Sequence, residues 1–406
     1  MEESNMAFKY DFETALVRKG HDSYAEDHAP QPKEGFDYIP MAVADMGFIV
    51  CPSIVEKIKG RLEHPIFGYY GASPETEEWW NCVIDWQKYK HGVELTKEQI
   101  GFQHGVHGGN VQALKIFARP GDRVMLHTPA YGSFIRNLKN LGYVMVESPL
   151  YLDENNVWRM NFEDMEKKIV SENIQTLLFC SPHNPTGRVW EKWELEKMME
   201  ICERHAVKVV SDEIWSDFVF EGKKHTPLQT VSEYAKYNTI AMYAPSKTFN
   251  LAGFNGSYHV CYDKWLQGRL AKEAQLTIYN KMHLLTLHAF QGAYSEEGKE
   301  WHKELLQVIE ANATYAVNYI KEHFEGVNVS MSDGTYVIFI DCKEWMEKHG
   351  KTQDELYNKA LEYGVGWQDG RGFGGMTHQR INLAQPTWRV KEAMDRLDKY
   401  VFNAQW

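Results

Sequence analysis

The chain has 406 residues, which is longer than one minimal domain and favours a large and a small domain. Apolar residues make up 43% and charged residues 25%, the ordinary balance of a globular chain with a sizeable core. The formal net charge of −12 argues against binding to nucleic acid or anionic membranes, and it suits a soluble cytoplasmic protein.

Residues 1–40 are polar and mixed in charge, and they lack the apolar stretch of a signal peptide. The sequence contains no run of about 18 apolar residues, so no transmembrane helix is expected. The cysteines are scattered and form neither a CxxC pair nor a Cys/His cluster with metal-ligand spacing, so we expect reduced thiols and no metal.

The middle of the chain alternates short apolar strands with amphipathic helices. The predicted strands cover residues 100–104, 123–127, 142–147, 176–180, 207–211 and 239–243, and the predicted helices cover 110–117, 162–172 and 193–205. This alternation indicates an α/β fold with a mostly parallel sheet.

The last hundred residues have a different pattern. Helical periodicity covers residues 296–323 and 352–363, and it alternates with strands at 336–341 and 380–383. We therefore expect a smaller α+β domain, which the N-terminal segment joins because no linker divides the chain. The predicted division is residues 46–287 for the large domain, with 1–45 and 288–406 for the small one.

Polar residues follow three of the predicted central strands. Asn184 lies after the strand at 176–180, Asp212 after the one at 207–211 and Lys247 after the one at 239–243. In an open α/β sheet, ligands bind outside the carboxyl ends of the strands. The three residues therefore predict a single crevice with a site.

Asp212 and Lys247 have a chemical interpretation and an ordinary one. A carboxylate at a strand end suits the protonated ring nitrogen of pyridoxal phosphate (PLP), but it could instead cap a helix or form an ion pair. A lysine between apolar flanks tends to have the lowered pKa that an imine-forming amine requires, although most lysines are solvated surface charges.

Asn184, Tyr131 and Arg380 are further candidates. Asn184 could donate to an oxygen on a ligand ring, or the Asn-Pro-Thr-Gly run could be only a turn. Tyr131, in a loop after a strand, could stack on a planar cofactor or simply pack. Arg380 could bind a carboxylate through two hydrogen bonds or form an ordinary ion pair.

A phosphate site is predicted near residues 105–109. Gly105, Val106 and His107 follow a strand and precede a helix, where free backbone N–H groups bind anions, although a tight turn explains the glycines equally well. Ser246, beside the candidate lysine, could also bond a phosphate or cap the next turn.

Taken together and in this order, these motifs resemble the fold-type-I PLP-dependent enzymes of the aspartate aminotransferase superfamily. They are most similar to its carbon–sulfur lyase branch, which includes cystathionine β-lyase and cystalysin. The resembling motifs are Val43-Ala44-Asp45-Met46, Phe67-Gly68-Tyr69, residues 179–185, Gly187-Arg188-Val189-Trp190, Ser211-Asp212-Glu213-Ile214, residues 244–253 and residues 380–384. The resemblance covers the chain from about residue 36 to its end.

The resemblance implies a role in cofactor binding for most of the candidates. Lys247 would hold PLP as a Schiff base and carry protons, and Asp212 would pair with the ring nitrogen. Asn184 would bond the ring oxygen, and Tyr131 would stack on the ring. The phosphate would be held by Gly105, Val106, His107 and Ser246.

The resemblance also implies residues for the substrate and for a partner subunit. Arg380, helped by Asn184, would anchor the substrate carboxylate. Tyr69 would cross a homodimer interface to the neighbouring cofactor.

The implied fold is a large domain with a mostly parallel seven-stranded sheet and a small α+β domain. The implied reaction is cleavage of L-cystathionine or a related cysteine S-conjugate to a thiol, pyruvate and ammonia. An aminotransferase is the alternative, and a PLP-binding regulatory or scaffolding protein is a third.

Asn255 and Gly132 are among the positions that depart from the wider pattern. Asn255 stands eight residues after the lysine, where many aminotransferases have a phosphate-binding arginine, and this favours the lyase branch. Gly132 stands where cystalysin-like enzymes can carry a second tyrosine, which suggests a pocket enlarged for a bulky conjugate.

Overall fold

A computed structural model describes residues 8–276 and 281–406. Residues 1–7 of the predicted small domain and 277–280 of the predicted large domain lie outside this description. The boundaries at 45/46 and 287/288 stay a prediction.

Helices cover much of the described chain. They are α1 (Tyr24–Asp27), α2 (Pro52–Leu62), α3 (Pro74–His91), α4 (Gly105–Phe117), α5 (Gly132–Asn140), α6 (Phe162–Ser171), α7 (Lys192–Arg204), α8 (Glu233–Asn238), α9 (Pro245–Thr248), α10 (Lys264–Leu276), α11 (Leu284–Ala293), α12 (Glu296–His323), α13 (Lys343–His349), α14 (Gln353–Glu362) and α15 (Thr387–Leu397).

Strands alternate with these helices along much of the chain. They are β1 (Ile39–Pro40), β2 (Ile100–His104), β3 (Arg123–Thr128), β4 (Val144–Pro149), β5 (Tyr151–Leu152), β6 (Trp158–Arg159), β7 (Thr176–Cys180), β8 (Lys208–Asp212), β9 (Thr239–Tyr243), β10 (Gly256–Val260), β11 (Asn328–Val329), β12 (Val337–Asp341), β13 (Val365–Gly366), β14 (Gln368–Asp369) and β15 (His378–Asn382).

Seven of the described strands form the main sheet, in the order β2-β10-β9-β8-β7-β3-β4. All pairings are parallel except those of β10, which is antiparallel to both of its neighbours. Strands β7, β8 and β9 lie side by side in the centre, and all of their residues are buried except Lys208 at the start of β8, which is partly buried. The predicted α/β fold with a mostly parallel seven-stranded sheet is therefore confirmed.

A second, antiparallel sheet is formed by the C-terminal part of the described chain, in the order β11-β12-β15-β14. Separately, β1 pairs with β13, so the N-terminal segment joins this C-terminal part. The assignment of both segments to one small domain stays a prediction.

Local sequence explains the ends of the longest helix. The Ser295 hydroxyl accepts a hydrogen bond from the Gly298 N–H, which caps the first turn of α12. Glu296 and Glu297 lie in the first turn and Lys321 lies in the last, so their charges interact favourably with the helix dipole. The sequence-based bounds of 296–323 match α12 at both ends.

Helix α4 begins five residues earlier than predicted, at Gly105 rather than at residue 110. Gly108 and Gly109 were predicted to lie in a turn, but both are in the helix. A Cβ at Gly109 would lie 2.6 Å from the Met242 Sδ on β9. This glycine therefore serves the close packing of α4 on the sheet rather than a turn.

No helix within the described ranges combines the length and apolarity that crossing a membrane requires. All six cysteines are free, and five of them are buried.

Candidate active site

Asp212 is the last residue of β8, at the carboxyl edge of the main sheet, and only 5% of it is exposed. Its Oδ2 accepts a hydrogen bond from the Asn110 Nδ2 at 2.7 Å, and its Oδ1 accepts one from the Ile214 N–H at 3.2 Å. Burial raises the pKa of the Asp212 carboxyl to about 6, although the Asn110 bond and the Lys247 charge oppose this shift. A buried anion that is hydrogen-bonded but lacks a cation bonded to it is suited to receive one.

Asn110 was missed by the sequence analysis. It lies on the buried face of α4, where a polar side chain among apolar neighbours is the signal that could have identified it.

Glu213, the next residue, shows the contrasting arrangement of a structural carboxylate. It accepts hydrogen bonds from the Tyr243 hydroxyl at 2.7 Å, from Ser211 at 2.9 Å and from the Leu228 N–H at 3.2 Å. It also pairs with the ring of His225 at 2.9 Å. Burial alone would raise the pKa of Glu213, but the bonds from His225 and its other partners leave it lowered.

Lys247 lies in the short helix α9, which follows β9 at the same edge of the sheet. Its Nζ donates a hydrogen bond to the Ala44 main-chain oxygen at 2.6 Å and lies 5.4 Å from the centre of the Trp215 ring. Burial lowers the pKa of Lys247 to about 8, and the nearby Arg380 charge adds to this effect. The amine is therefore neutral at a much lower pH than that of an exposed lysine.

Arg380 lies on β15, and 2% of it is exposed. Its Nη1 donates to the Asn184 Oδ1 at 3.1 Å, and its Nη2 donates to the Ala42 main-chain oxygen at 2.8 Å and to the Gln368 Oε1. The Phe373 ring lies 4.7 Å from the guanidinium centre. Burial lowers the pKa of Arg380 to about 10, so the group is still cationic at neutral pH.

Residues 41–47, which we name the crossing segment, run across this side of the site. The Met41 N–H donates to the Gly366 oxygen and the Gly47 N–H to the Ala384 oxygen, each at 2.8 Å. The segment is thereby held at both ends by the C-terminal part of the chain.

The carbonyl groups of the crossing segment alternate in direction. Those of Val43 and Asp45 each accept a hydrogen bond from the Asn382 Nδ2 at 2.6 Å. Those of Ala42 and Ala44 accept from the arginine and lysine of the site. In the sequence this motif is identifiable only through resemblance, because main-chain oxygens carry no residue-specific signal.

The start of α4 lies at the carboxyl end of β2. Gly105 has φ +71°, which a residue with a side chain rarely adopts, and Val106 and His107 follow it in the first turn. A Cβ at Gly105 would lie 3.9 Å from the Asn255 Oδ1, so this turn and the segment after Lys247 are neighbours. Free N–H groups of a first turn attract an anion.

Tyr131 is the residue before α5, and 36% of it is exposed. The adjacent Ala130 N–H donates to the Phe373 oxygen at 2.8 Å. A Cβ at Gly132 would lie 2.5 Å from the Gly372 oxygen. Space beside Gly132 is thus filled by the main chain, and the glycine permits the approach of residues 370–373 rather than opening a larger pocket.

Ser246 and Tyr69 differ in their placement. Ser246 is 8% exposed and lies in α9 directly before the candidate lysine. Tyr69 is fully exposed, and its neighbour Phe67 is also largely exposed, so this chain alone does not bring Tyr69 into the site. Its predicted reach to a partner subunit stays a prediction.

The arrangement has the groups that PLP requires. If PLP binds here, Asp212 would face the ring nitrogen as a buried anion, Lys247 would supply an amine with a lowered pKa, and the start of α4 would supply N–H groups for the phosphate. The Asn184 Oδ1 is taken by Arg380, so its amide N–H group is the part available to a ring oxygen. Among the described residues, no cluster of His, Cys, Asp and Glu could hold a metal ion.

A family model described as aminotransferase class I and II matches residues 37–397. Cystathionine beta-lyase PatB of Bacillus subtilis is 31% identical over 89% of this chain and 92% of its own. Protein MalY of Escherichia coli is 26% identical over 95% of this chain and 97% of its own. Cystalysin from Treponema denticola, whose crystal structure contains pyridoxal 5′-phosphate, superposes with a TM-score of 0.87 at 30% identity, covering 96% of this chain and 98% of its own.

Proposed function

The chain belongs to the class I and II aminotransferase family, and we propose that it is a PLP-dependent carbon–sulfur β-lyase. Its substrate is L-cystathionine or a related cysteine S-conjugate, and its products are a thiol, pyruvate and ammonia. The observation that carries the proposal is the meeting of three buried ionisable groups, Asp212, Lys247 and Arg380, whose pKa values are each displaced by burial. Such displaced values are typical of catalytic sites.

When bound, PLP supplies the electron sink that stabilises negative charge at the substrate Cα. Asp212 holds the proton on the ring nitrogen, which keeps that sink effective. Arg380 binds the substrate carboxylate, and Asn184 orients the arginine through its Oδ1.

Lys247 moves the proton. Because burial and the nearby Arg380 charge lower its pKa, the neutral amine of Lys247 is accessible, and it takes the proton from the substrate Cα. The Ala44 carbonyl, which accepts a hydrogen bond from the Lys247 Nζ, orients this amine in the site. The thiolate then leaves from Cβ and takes up the proton that Lys247 removed from Cα, which returns the lysine to its neutral form. Water hydrolyses the remaining three-carbon fragment to pyruvate and ammonia.

Two observations favour a lyase over an aminotransferase. Asn255, beside Gly105 at the predicted phosphate end, is a neutral amide where many aminotransferases carry an arginine. The relative at 31% identity, from Bacillus subtilis, is named a cystathionine beta-lyase, and so is a protein of Corynebacterium glutamicum at 27% identity. Transamination would require Lys247 to return the proton to the cofactor instead of allowing the thiol to leave.

The proposal is tested with L-cystathionine and no keto acid. We expect pyruvate from the wild-type holoenzyme and from Lys272→Ala, a control on the exposed side of α10, but none from Lys247→Ala. If wild type releases no pyruvate from L-cystathionine or other S-conjugates, but forms a keto acid only when a keto-acid acceptor is added, transamination replaces the lyase.

We also propose that the protein is a cytoplasmic homodimer in which Tyr69 contacts the cofactor phosphate of the neighbour. The full exposure of Tyr69 and the exposure of Ile66 and Phe67 support this part of the proposal. Subunits with Lys247→Ala and Tyr69→Ala are each inactive alone under this arrangement. Refolding them together restores one intact site per mixed dimer, whereas a Tyr69 that acts within its own chain gives no recovery.

A further inference from the structure

The second side-chain hydrogen-bond partner of Arg380 is Gln368, which lies outside the motifs that the sequence singles out. Gln368 lies opposite Arg380 in the β14–β15 pairing, so both side chains are on one face of the sheet. The Gln368 Oε1 accepts from the Arg380 Nη2, which also donates to the Ala42 oxygen. Since Nη2 carries two protons, both are engaged.

A carboxylate binds a guanidinium through two parallel N–H groups. The guanidinium offers two such forks, Nη1 with Nη2 and Nε with Nη2, and both include Nη2. The Nε of Arg380 has no hydrogen-bond partner among the described residues, but it alone cannot form a fork. A carboxylate that binds with two hydrogen bonds must therefore replace one of the two present acceptors at Nη2.

The two acceptors differ in their freedom to leave. The Ala42 carbonyl belongs to the crossing segment, whose neighbouring carbonyls are tied to Asn382. Gln368 is a flexible side chain and is only half-buried. Its amide is therefore the group that can move away without displacing the main chain.

We propose that Gln368 is a specificity-determining residue, whose amide oxygen occupies Arg380 in the free enzyme and is exchanged for the substrate carboxylate. This inference rests on the proposed role of Arg380 as carboxylate anchor. An ionised carboxylate forms a charge-assisted pair that is stronger than the neutral amide bond it replaces. An uncharged amide or ester gains nothing by the exchange. The device thus selects free α-carboxylates.

The test uses the holoenzyme with L-alanine and L-alaninamide, which lack a thiol leaving group, and follows binding through the cofactor absorbance. In Gln368→Glu, a fixed carboxylate competes for Arg380, so we expect L-alanine affinity to fall by about tenfold or more while L-alaninamide affinity stays near wild type. Gln175→Glu, an exposed site with the same change in charge, leaves both affinities unchanged.

Gln368→Ala gives the opposite expectation, because the competing oxygen is removed: L-alanine should bind about twofold to fivefold more tightly. Unchanged L-alanine affinity in Gln368→Glu, or weaker affinity in Gln368→Ala, would overturn the exchange. Arg380→Ala separates the two proposals. If this variant keeps the preference for L-alanine over L-alaninamide, Arg380 is not the carboxylate anchor. Neither binding measurement depends on lyase activity toward S-conjugates.

Discussion

The carboxyl edge of the main sheet and the crossing segment contribute to the same site in different ways. The edge presents side chains, Asp212 and Lys247, at the ends of adjacent elements. The crossing segment contributes the main-chain oxygens of Ala42 and Ala44, whose directions are set by contacts with β15. The contribution of the sheet edge depends on which side chains are present, whereas the contribution of the crossing segment depends on the path of its backbone.

The difference suggests how each region responds to substitution. Replacing an edge residue should remove a chemical function and leave the fold intact, because the strand ends are held by the sheet. Replacing Asn382, which holds the crossing segment in place, should weaken substrate binding and lower the free energy of unfolding. The following predictions test this contrast, beginning with the largest effect.

The largest effect is expected for Asp212→Asn in the holoenzyme. The neutral amide cannot hold the ring nitrogen protonated by its charge, so kcat should fall by on the order of 10²–10³-fold, with less change in KM. Steady-state pyruvate release measures both constants. Asp85→Asn, at an exposed position of α3, is the control. A kcat within threefold of wild type for Asp212→Asn would refute an electrostatic role of Asp212.

The same substitution should stabilise the apoprotein. The gap between a pKa of about 6 in the folded chain and an ordinary value of 3.8 corresponds to about 3 kcal/mol. Because the folded-state pKa is raised, this stability is present below pH 3.8 and is lost as the pH rises through 6. Asparagine has no such loss.

Urea unfolding of the apoprotein measures this effect. The advantage of Asp212→Asn over wild type should grow between pH 5 and pH 7 and then level off near about 3 kcal/mol. If the stability difference between Asp212→Asn and wild type does not change over that pH range, burial does not destabilise the charged form of Asp212.

A smaller effect is expected at the support of the crossing segment. In Asn382→Asp, a carboxylate faces the Val43 and Asp45 oxygens and cannot donate to them, so the free energy of unfolding should fall by about 1–3 kcal/mol. L-alanine binding to the holoenzyme should weaken as well. Asn155→Asp at an exposed position is the control, and a variant that loses kcat alone would remove the distinction between the two regions.

The smallest effect is expected where residues 370–373 approach α5. A Cβ in Gly132→Ala would meet the Gly372 oxygen at 2.5 Å, so the two segments must separate, at a loss of about 1 kcal/mol in the free energy of unfolding. Gly268→Ala, where nothing lies within 4 Å, should be neutral or slightly stabilising. Equal thermal midpoints for wild type and Gly132→Ala would mean that the contact yields freely.

The amino-acid sequence by itself determined the class of fold and the chemically active side chains. Apolar strands alternating with amphipathic helices predicted the parallel sheet because this periodicity is a local property of the chain. Asp212 and Lys247 could be predicted because a charged residue after a buried strand stands out in the sequence. Their mechanistic roles stay a prediction.

Only the tertiary structure decided the path of the crossing segment and the length of α4. Gly109 packs α4 against Met242 on β9, a contact between residues more than a hundred positions apart. Ala42 and Ala44 act through carbonyl oxygens, which every residue has, and Gln368 acquires its partner by strand pairing. Such contacts depend on the directions of distant backbone segments, which composition and periodicity do not encode.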